Sequence, residues 1–183
     1  APSTILVGSG IDPEDMLLPL LPRLPESCFG GELFHFLCDG ELGLAVAAML
    51  ERTGSKEVDV LAHSMGGLAA RWYILTQPDH SIRRAVFLGT PHRGTLSAYL
   101  AFGKSGPEML PGSNFLDSLN TLQPTPLGVE PRTIRTLIDT HIIPGSSATL
   151  PDVEDYRLCC TTHTGLLKDG RVFELILSFL GSA

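Results

Sequence analysis

The residues best suited to chemistry lie in the stretch 58–67, which reads Val-Asp-Val-Leu-Ala-His-Ser-Met-Gly-Gly. An apolar run rich in β-branched residues stops at Ser64, and helix-forming residues follow. The small residues Ala62 and Gly66 flank the serine two positions away on either side. This order predicts a sharp strand-to-helix turn that lifts the Ser64 hydroxyl clear of a sheet as a nucleophile. The alternative is an ordinary turn in which Ser64 caps the helix.

A nucleophilic serine needs a histidine as its general base, and that base needs a carboxylate to orient it. On folds with this kind of turn, the acid and then the histidine follow the serine along the chain. His163 lies in a Thr-Thr-His-Thr-Gly loop between the last predicted strand and the last predicted helix. We therefore predict that His163 is the base. His92 is the rival, but it precedes any well-placed acid.

For the acid we predict Asp139, which directly follows the predicted strand 133–138. A carboxylate at the end of a buried strand is costly unless it is paired, and open parallel sheets gather their ligands at the carboxyl ends of their strands. Asp152 and Asp155 are rivals in a polar Pro-Asp-Val-Glu-Asp loop, where solvated charge is the usual state. An Asp139 that only caps a turn is the other alternative.

An oxyanion that forms beside the serine needs hydrogen-bond donors. The backbone N–H of Met65, directly after the serine, is expected to be one of them. The second normally comes from the loop after the first strand, which here reads Gly-Ser-Gly-Ile at 8–11. The same glycines suit a turn that needs backbone freedom, and the two interpretations are compatible.

The elements that must position these residues alternate along the chain. We predict helices at 13–23, 42–53, 65–76, 114–122 and 172–180, and strands at 5–7, 33–37, 58–62, 84–88, 133–138 and 156–160. This alternation predicts an α/β fold with a mostly parallel six-stranded sheet and helices on both of its faces.

The segment 91–130 departs from this alternation, because Gly, Pro, Ser and Asn recur in it. Such a segment beyond the strand ends usually carries binding function. We expect it to form a substrate groove or cap-like wall rather than a large lid. It offers apolar side chains for that purpose, namely Leu96, Tyr99, Leu100, Phe102, Met109, Leu110, Phe115 and Leu116, although core packing is the alternative for each of them.

The bulk properties restrict the class of protein. The chain has 183 residues, of which 43% are hydrophobic and 18% charged, so we expect one globular domain over residues 1–183. The net charge is −7, and Lys and Arg form no cluster, which argues against nucleic acid and anionic membrane surfaces as partners. No apolar stretch is long enough to span a membrane, so we expect no stable membrane insertion.

Two further expectations concern location and cysteine chemistry. Residues 1–10 lack the basic start and apolar core of a signal peptide, yet the chain begins with alanine, as a mature secreted form would. We expect a secreted or extracellular protein, with a cytoplasmic location as the alternative. Cys28 and Cys38 could pair across a short loop. The adjacent Cys159 and Cys160 would point to opposite faces of a strand, and burial as small apolar residues is their simplest interpretation.

Three segments resemble the small lid-less Bacillus lipases. They are Ala-His-Ser-Met-Gly-Gly at 62–67, with alanine in place of the first glycine, Asp139 before Thr-His-Ile-Ile-Pro, and His-Thr-Gly-Leu-Leu at 163–167. The resemblance covers most of the chain, which is similar in length to those enzymes. It implies a minimal α/β-hydrolase fold with Ser64, Asp139 and His163 as the catalytic triad, and with no metal and no cofactor. The Gly-Thr-Pro-His-Arg-Gly-Thr stretch at 89–95 looks like the wider bacterial triacylglycerol lipases.

The loop after the first strand departs from this family. The Bacillus lipases usually carry His-Gly there, whereas this chain has Val-Gly-Ser-Gly-Ile at 7–11. The segment looks closer to the Pro-Gly-Thr-Gly type of some fungal lipases, and that match implies Ser9 as the second oxyanion donor. An ungapped match to the Bacillus type implies Gly10 instead.

The combined expectation is a monomeric serine hydrolase that cleaves short- to medium-chain acyl esters through an acyl-enzyme, so its partner is a small ester or lipid substrate. The predicted substrate-binding residues are His63, Leu96, Leu110, Phe115 and Leu166. A thioesterase, an amidase or an acyltransferase would use the same triad and differ in the pocket. A non-catalytic binding module with this fold would be free to lose the triad residues, and all three are present.

Overall fold

The computed structural model describes residues 3–7, 34–100 and 105–181. In this part of the chain, five parallel strands form one sheet in the order β1-β2-β3-β4-β5. The strands are β1 Ser3–Val7, β2 Val58–His63, β3 Ile82–Leu88, β4 Glu130–Thr136 and β5 Asp155–Leu158. Because the strands are parallel and neighbours in sequence, their carboxyl ends share one edge, where the loops that carry the predicted site residues begin.

The helices account for most of the remaining described residues. They are α1 Phe34–Thr53, α2 Gly66–Thr76, the short α3 Ser105–Glu108, α4 Asn114–Leu122 and α5 Gly170–Gly181. Single 3-10 turns lie at Leu96–Leu100, Gly145–Ala148 and Thr164–Leu167. None of the helices in the described ranges combines the length and the apolar character needed to cross a membrane.

The sheet buries both of its faces, as a parallel sheet must. On one face, Val60 and Phe87 pack with apolar residues of α1, α2 and α4. On the other face, their neighbours Leu61 and Val86 pack with Val172 and other residues of α5. The predicted parallel sheet with helices on both faces is therefore confirmed.

The prediction of six strands is wrong for the described residues. The segment 33–37 was expected to form a strand, but Phe34 and the three residues after it lie in the first turns of α1. A short continuous apolar run has the same pattern in a buried strand and in a buried helix, so its periodicity does not distinguish them. The predicted helix at 13–23 lies outside the described residues.

The other predicted elements are present, and most of them begin or end at a different residue than predicted. The helix at 114–122 has the predicted bounds, and Ser113 caps it by accepting a hydrogen bond from the Leu116 N–H at 3.2 Å. The last two strands end earlier than predicted, at Thr136 and Leu158, so Asp139 lies in the loop after β4. Strand ends are hard to locate from sequence because apolar residues continue into the loops.

The interpretation of Cys159 and Cys160 as buried residues of a strand is wrong. Both follow the end of β5, both are exposed, and their sulfur atoms form a disulfide with each other. The opposite-face argument fails because these residues have left the extended conformation, and Cys160 has a φ of 72°. Cys28 and the side chain of Cys38 lie outside the described residues.

The segment 91–130 contributes to both the core and the groove. Helix α4 packs into the core beside α2 through Phe115, Leu116 and Leu119. The 3-10 turn at 96–100 instead exposes Leu96, Tyr99 and Leu100, which are 49%, 73% and 82% accessible. The described part of this segment is therefore half core and half surface, and the assignment of one domain to residues 1–183 stays a prediction.

A close approach between α2 and the loop after β3 generates a prediction for Gly67. A Cβ atom on Gly67 would lie 2.0 Å from the Thr90 Oγ1 atom and 2.5 Å from its Cγ2 atom. Gly67→Ala must therefore push the helix away, and we expect it to lower the free energy of unfolding by about 1–3 kcal/mol. Urea denaturation would measure this loss.

The matched control is Gly40→Ala in α1, where an added Cβ meets no atom within 4 Å. Alanine favours a helix interior over glycine by about 0.5–1 kcal/mol, so this variant is expected to be as stable as the parent or more so. Equal stability of the two alanine variants would contradict the proposed close packing at Gly67.

Candidate active site

Ser64 occupies a strained turn between β2 and α2. Its φ of 55° lies in the left-handed region that residues with a Cβ rarely adopt. The Ser64 N–H donates to the Leu88 carbonyl of β3 at 2.8 Å, and the Gly67 N–H donates to the Ser64 carbonyl at 3.1 Å. These bonds hold the serine above the carboxyl ends of the two strands. The geometry is the strand, turn and helix that the sequence predicts.

Met65 lies at the N-terminus of α2, where it takes a helical backbone conformation directly after the serine. Its carbonyl accepts the first helical hydrogen bonds, from the Leu68 and Ala69 N–H groups at 3.0 and 3.3 Å. Helix α2 therefore begins beside Ser64. The N-terminus of a helix concentrates unpaired N–H groups and positive potential, which favour negative charge on a nearby oxygen.

Asp139 and His163 form a buried pair. The His163 Nδ1 atom lies 2.8 Å from the Asp139 Oδ2 atom, and the two side chains are only 4% and 3% accessible. The other carboxylate oxygen, Oδ1, accepts the backbone N–H groups of His141 at 2.8 Å and Ile142 at 2.9 Å. Because a carboxylate only accepts, Nδ1 carries the proton, and Nε2 keeps a lone pair that can receive another one.

The same contacts keep Asp139 ionised. Burial alone would raise its pKa, but the hydrogen bond from His163, the charge of that ring and the two backbone N–H groups outweigh burial. The pKa of Asp139 therefore lies below its ordinary value. An ionised Asp139 can stabilise the positive charge that His163 acquires when it takes a proton.

His63 supports His163 from the buried side. Its Nε2 atom lies 3.1 Å from the His163 carbonyl oxygen, so Nε2 must carry the proton and donate. The two rings lie 4.7 Å apart with a tilt of 46°. Burial, followed by the charge of His163, lowers the pKa of His63 from 6.5 to about 4. His63 is therefore a neutral donor that holds the backbone of the histidine loop.

His141 covers His163 on the solvent side. Its ring stacks on that of His163 at a centroid distance of 4.7 Å and an angle of 20°, and its side chain is exposed. The ring of His163 therefore contacts both the exposed ring of His141 and the buried ring of His63. Within the described part of the chain, no hydrogen bond joins the Ser64 hydroxyl to His163. In enzymes without substrate, such bonds are often long and tighten only when the substrate binds.

A cavity of about 340 Å³ opens beside the serine. Most of its accessible wall is apolar. The described residues that line it are Ser64, Pro91, Thr95, Ser97, Ala98, Leu100, Met109, His141 and Ile142. The apolar wall can hold a hydrocarbon chain. Ser64 belongs to the same lining, so its hydroxyl can contact a polar group carried by that chain.

The five residues predicted to bind substrate do not belong to this lining. Phe115 packs against Trp72 in the core, Leu166 is buried under α5, and His63 lies behind His163. Leu96 is half exposed and Leu110 is half-buried, and both lie in the segment 91–130. Leu100 and Met109, which the sequence offered as alternatives in the same segment, line the cavity instead.

The structure also places the three rival residues. His92 is fully buried and contacts the edge of Phe87, away from the cavity lining. Asp155 pairs with Arg135 at 2.9 Å within the sheet. Asp152 is exposed. Ser9 and Gly10 lie outside the described residues, so the choice between them stays a prediction.

Sequence reasoning missed His141 and Thr95. The Thr95 Oγ1 atom donates to the His141 carbonyl at 2.7 Å and accepts the Ile143 N–H at 2.8 Å, so it ties the acid loop to the groove segment. The contact spans more than forty residues, which no local pattern reports. A weak signal existed for His141, because an aspartate commonly accepts the backbone N–H two residues on.

Comparison with known proteins agrees with this geometry. Residues 37–128 match the protein family described as "alpha/beta hydrolase fold".

The chain belongs to the α/β-hydrolase family.

Among solved structures, this α/β-hydrolase is similar to the mature form of Bacillus licheniformis lipase BlEst2, with a TM-score of 0.77 and 15% identity over 98% of this chain and 91% of that one. It is also similar to the lin2722 gene product of Listeria innocua, with a TM-score of 0.70 and 17% identity over 100% and 94% of the two chains. A third similar structure is MGS-MChE2, an α/β-hydrolase enzyme from lagoon sediments, with a TM-score of 0.63 and 15% identity over 98% and 90%. At these identities the likeness shows the fold alone, and in the fold the resemblance to a small Bacillus lipase is confirmed.

The low pKa of His63 generates a prediction about stability. Between pH 6.5 and about 4, the unfolded α/β-hydrolase binds a proton at His63 that the folded one excludes. Stability must therefore fall as the pH falls through this range, by about 3 kcal/mol for this residue at 1.36 kcal/mol per pH unit.

The variant His63→Gln removes this titration, so its free energy of unfolding is expected to fall less steeply over the same range. Urea denaturation at several pH values, with parent and variant side by side, would measure the difference in slope. Parallel curves for the two proteins would contradict a neutral, buried His63.

Proposed function

We propose that this α/β-hydrolase is a serine carboxylic-ester hydrolase with Ser64 as nucleophile, His163 as general base and Asp139 as the orienting acid. The observation that carries the proposal is the buried Asp139–His163 hydrogen bond of 2.8 Å, formed at the same sheet edge as the strained serine turn. A buried acid–base pair at the same sheet edge as a half-buried serine that lines an apolar cavity supports acyl transfer.

The proposed reaction follows from the positions of these groups. The Ser64 oxygen attacks the ester carbonyl while His163 Nε2 takes the hydroxyl proton, and Asp139 stabilises the resulting imidazolium. The C–O bond to the alcohol then breaks, and His163 returns the proton to the departing alcohol oxygen. A water molecule repeats the attack on the acyl-enzyme and releases the acid. The proposed steps use no metal and no organic cofactor.

The charge that develops on the carbonyl oxygen needs donors at the serine turn. The Met65 N–H, at the start of α2, is the proposed first donor. The proposed second donor is Ser9 or Gly10, after β1. Loss of one such donor typically costs on the order of 3 kcal/mol of barrier.

The cavity supports short- to medium-chain acyl esters as substrates. Its volume of about 340 Å³ is at the small end of the range for small-molecule sites. Pro91, Ala98, Leu100, Met109 and Ile142 supply the apolar wall. Each buried CH₂ group adds about 0.8 kcal/mol of binding until the wall ends. Two of the solved structures with a similar fold are a lipase and a phospholipase, which supports a lipid ester as the substrate.

The first test concerns the nucleophile. Ser64→Ala is expected to lower kcat for p-nitrophenyl esters by about 10⁴-fold or more, because only oxyanion binding and positioning would remain. The control is Ser118→Ala, which removes an exposed hydroxyl on α4. An organophosphonate probe should label the parent and the control stoichiometrically and leave Ser64→Ala unlabelled. Turnover of Ser64→Ala within tenfold of the parent would rule out Ser64 as the nucleophile.

The second test concerns the acid. Asp139→Asn keeps the shape of the side chain but stabilises the wrong tautomer of His163, so we expect a loss in kcat of about 10⁴-fold. Asp152→Asn is the matched control, because Asp152 is exposed and its φ of 56° also suits asparagine. If Asp152→Asn lost activity while Asp139→Asn kept full activity, Asp139 would not be the orienting acid.

The third test concerns the acyl site. Met109 lines the cavity, so Met109→Ala should extend it and Met109→Trp should shorten it. On p-nitrophenyl esters of increasing acyl length, the optimum of kcat/KM is expected to move to longer chains in the first variant and to shorter chains in the second. Because each optimum is a ratio within one protein, stability losses cancel. A common optimum for all three proteins would place the acyl chain elsewhere.

A further inference from the structure

Asp139, His141 and His163 have a second chemical capacity besides acid–base catalysis. Each offers one ligand atom, a carboxylate oxygen or a ring nitrogen, and these three atoms lie within 4.8 Å of one another. We propose that they form an inhibitory site for Zn²⁺ or a similar borderline divalent cation. The binding site stands on geometry alone, whereas its inhibitory effect rests on the proposed function.

The donor set fits zinc rather than the alkaline-earth cations. Two imidazole nitrogens with one carboxylate oxygen are a common zinc triad, and a fourth position is then open to water. Magnesium and calcium instead require mostly oxygen ligands, and only one of these three side chains, that of Asp139, supplies oxygen. The chemistry of the site therefore selects Zn²⁺ and the neighbouring transition metals.

The ligand atoms must rearrange before they can bind one ion. Tetrahedral bonds of about 2.0 Å place ligand atoms about 3.3 Å apart. The Asp139 Oδ2 and His163 Nδ1 atoms lie 2.8 Å apart around a shared proton, so an ion bound to both would replace that proton and open the pair slightly. His141 must turn out of its stack on His163 so that a ring nitrogen faces the other two ligand atoms, and its exposed side chain has room to rotate. The three ligand atoms start within 4.8 Å of one another, so this rotation is enough to complete the set.

The surroundings of His141 and Asp139 orient their ligand atoms. The Thr140 hydroxyl lies 3.3 Å from the His141 Nδ1 atom, and as an acceptor there it leaves Nε2 with a free lone pair. The N–H groups of His141 and Ile142 hold Oδ1 of Asp139, so Oδ2 remains on the side of His163. Hydrogen bonds of this kind, made to the atoms that do not bind the ion, are typical of zinc sites.

Occupation would block catalysis whichever nitrogen of His163 binds. A bond to Nε2 uses the lone pair that must accept the serine proton. A bond to Nδ1 displaces the proton that Nδ1 donates to Asp139, and the pair that orients the base is lost. Because His141 also lines the cavity beside Ser64, solvent can deliver the ion and a chelator can remove it.

The kinetic experiment adds zinc chloride to the enzyme during hydrolysis of a p-nitrophenyl ester. We expect inhibition that ethylenediaminetetraacetate reverses, while magnesium and calcium have no effect at the same concentration. His141→Asn removes one of three ligands, so its half-inhibitory zinc concentration should rise at least tenfold. Each protein is compared with its own zinc-free rate, because His141 lines the cavity. His80→Asn is the control, since His80 lies at a distant turn before β3, and it should be inhibited like the parent.

A binding experiment separates the site from the proposed reaction. Calorimetric titration of zinc into Ser64→Ala should show one equivalent with an affinity that His141→Asn lowers at least tenfold and His80→Asn does not change. The same zinc binding, together with a parent protein that hydrolyses no ester, would support the site and refute the proposed function. Ester hydrolysis with equal zinc affinity in all three proteins would overturn the site and leave the proposed function intact.

Discussion

The hydrogen bond between Asp139 and His163 depends on the architecture of the whole sheet. A buried carboxylate is stable only when its oxygens are paired, and here three N–H groups reach it, two from its own loop and one from His163. His163 arrives from the loop after β5, while Asp139 comes from the loop after β4, and the parallel register of these strands brings the two loops together. Asp139 and His163 therefore belong to one interaction that the sheet assembles.

Packing, rather than hydrogen bonding alone, keeps His163 in one orientation. The ring contacts those of His63 and His141, and a Cβ on Gly89 would come within 3.1 Å of its Cε1 and Nδ1 atoms. Glycine at this position, with a φ of 52°, lets the backbone after β3 approach the ring. These contacts restrict rotation of the ring, and under the proposed function a pre-oriented His163 would need little reorganisation when it takes a proton. His63 remains neutral there because burial penalises its charged form.

What the sequence could predict follows from how local each signal is. The turn at Ser64 and helix α4 were predicted because the backbone requirement and the residues that meet it are neighbours in the chain. The run at 33–37 failed because a short apolar stretch suits either structure. Leu100 and Phe115 are both apolar residues of the segment 91–130. Only the tertiary packing places the first beside the cavity and the second in the core. The partners of His141 likewise come from distant segments.

The part of the segment 91–130 that includes α4 is anchored to α2 by a buried guanidinium. Arg71, on the helix that follows Ser64, donates to the Asn120 side-chain oxygen at 3.0 Å and to the Gln123 carbonyl at 2.7 Å, and Asn120 in turn donates to the His92 carbonyl at 2.9 Å. Burial lowers the pKa of Arg71 to about 10, so it remains charged at neutral pH. If α4 moved away, the buried Arg71 guanidinium would lose hydrogen-bond partners, and an unpaired charge in a buried site is costly. The part of the segment that includes α4 is therefore fixed to the helix that follows Ser64.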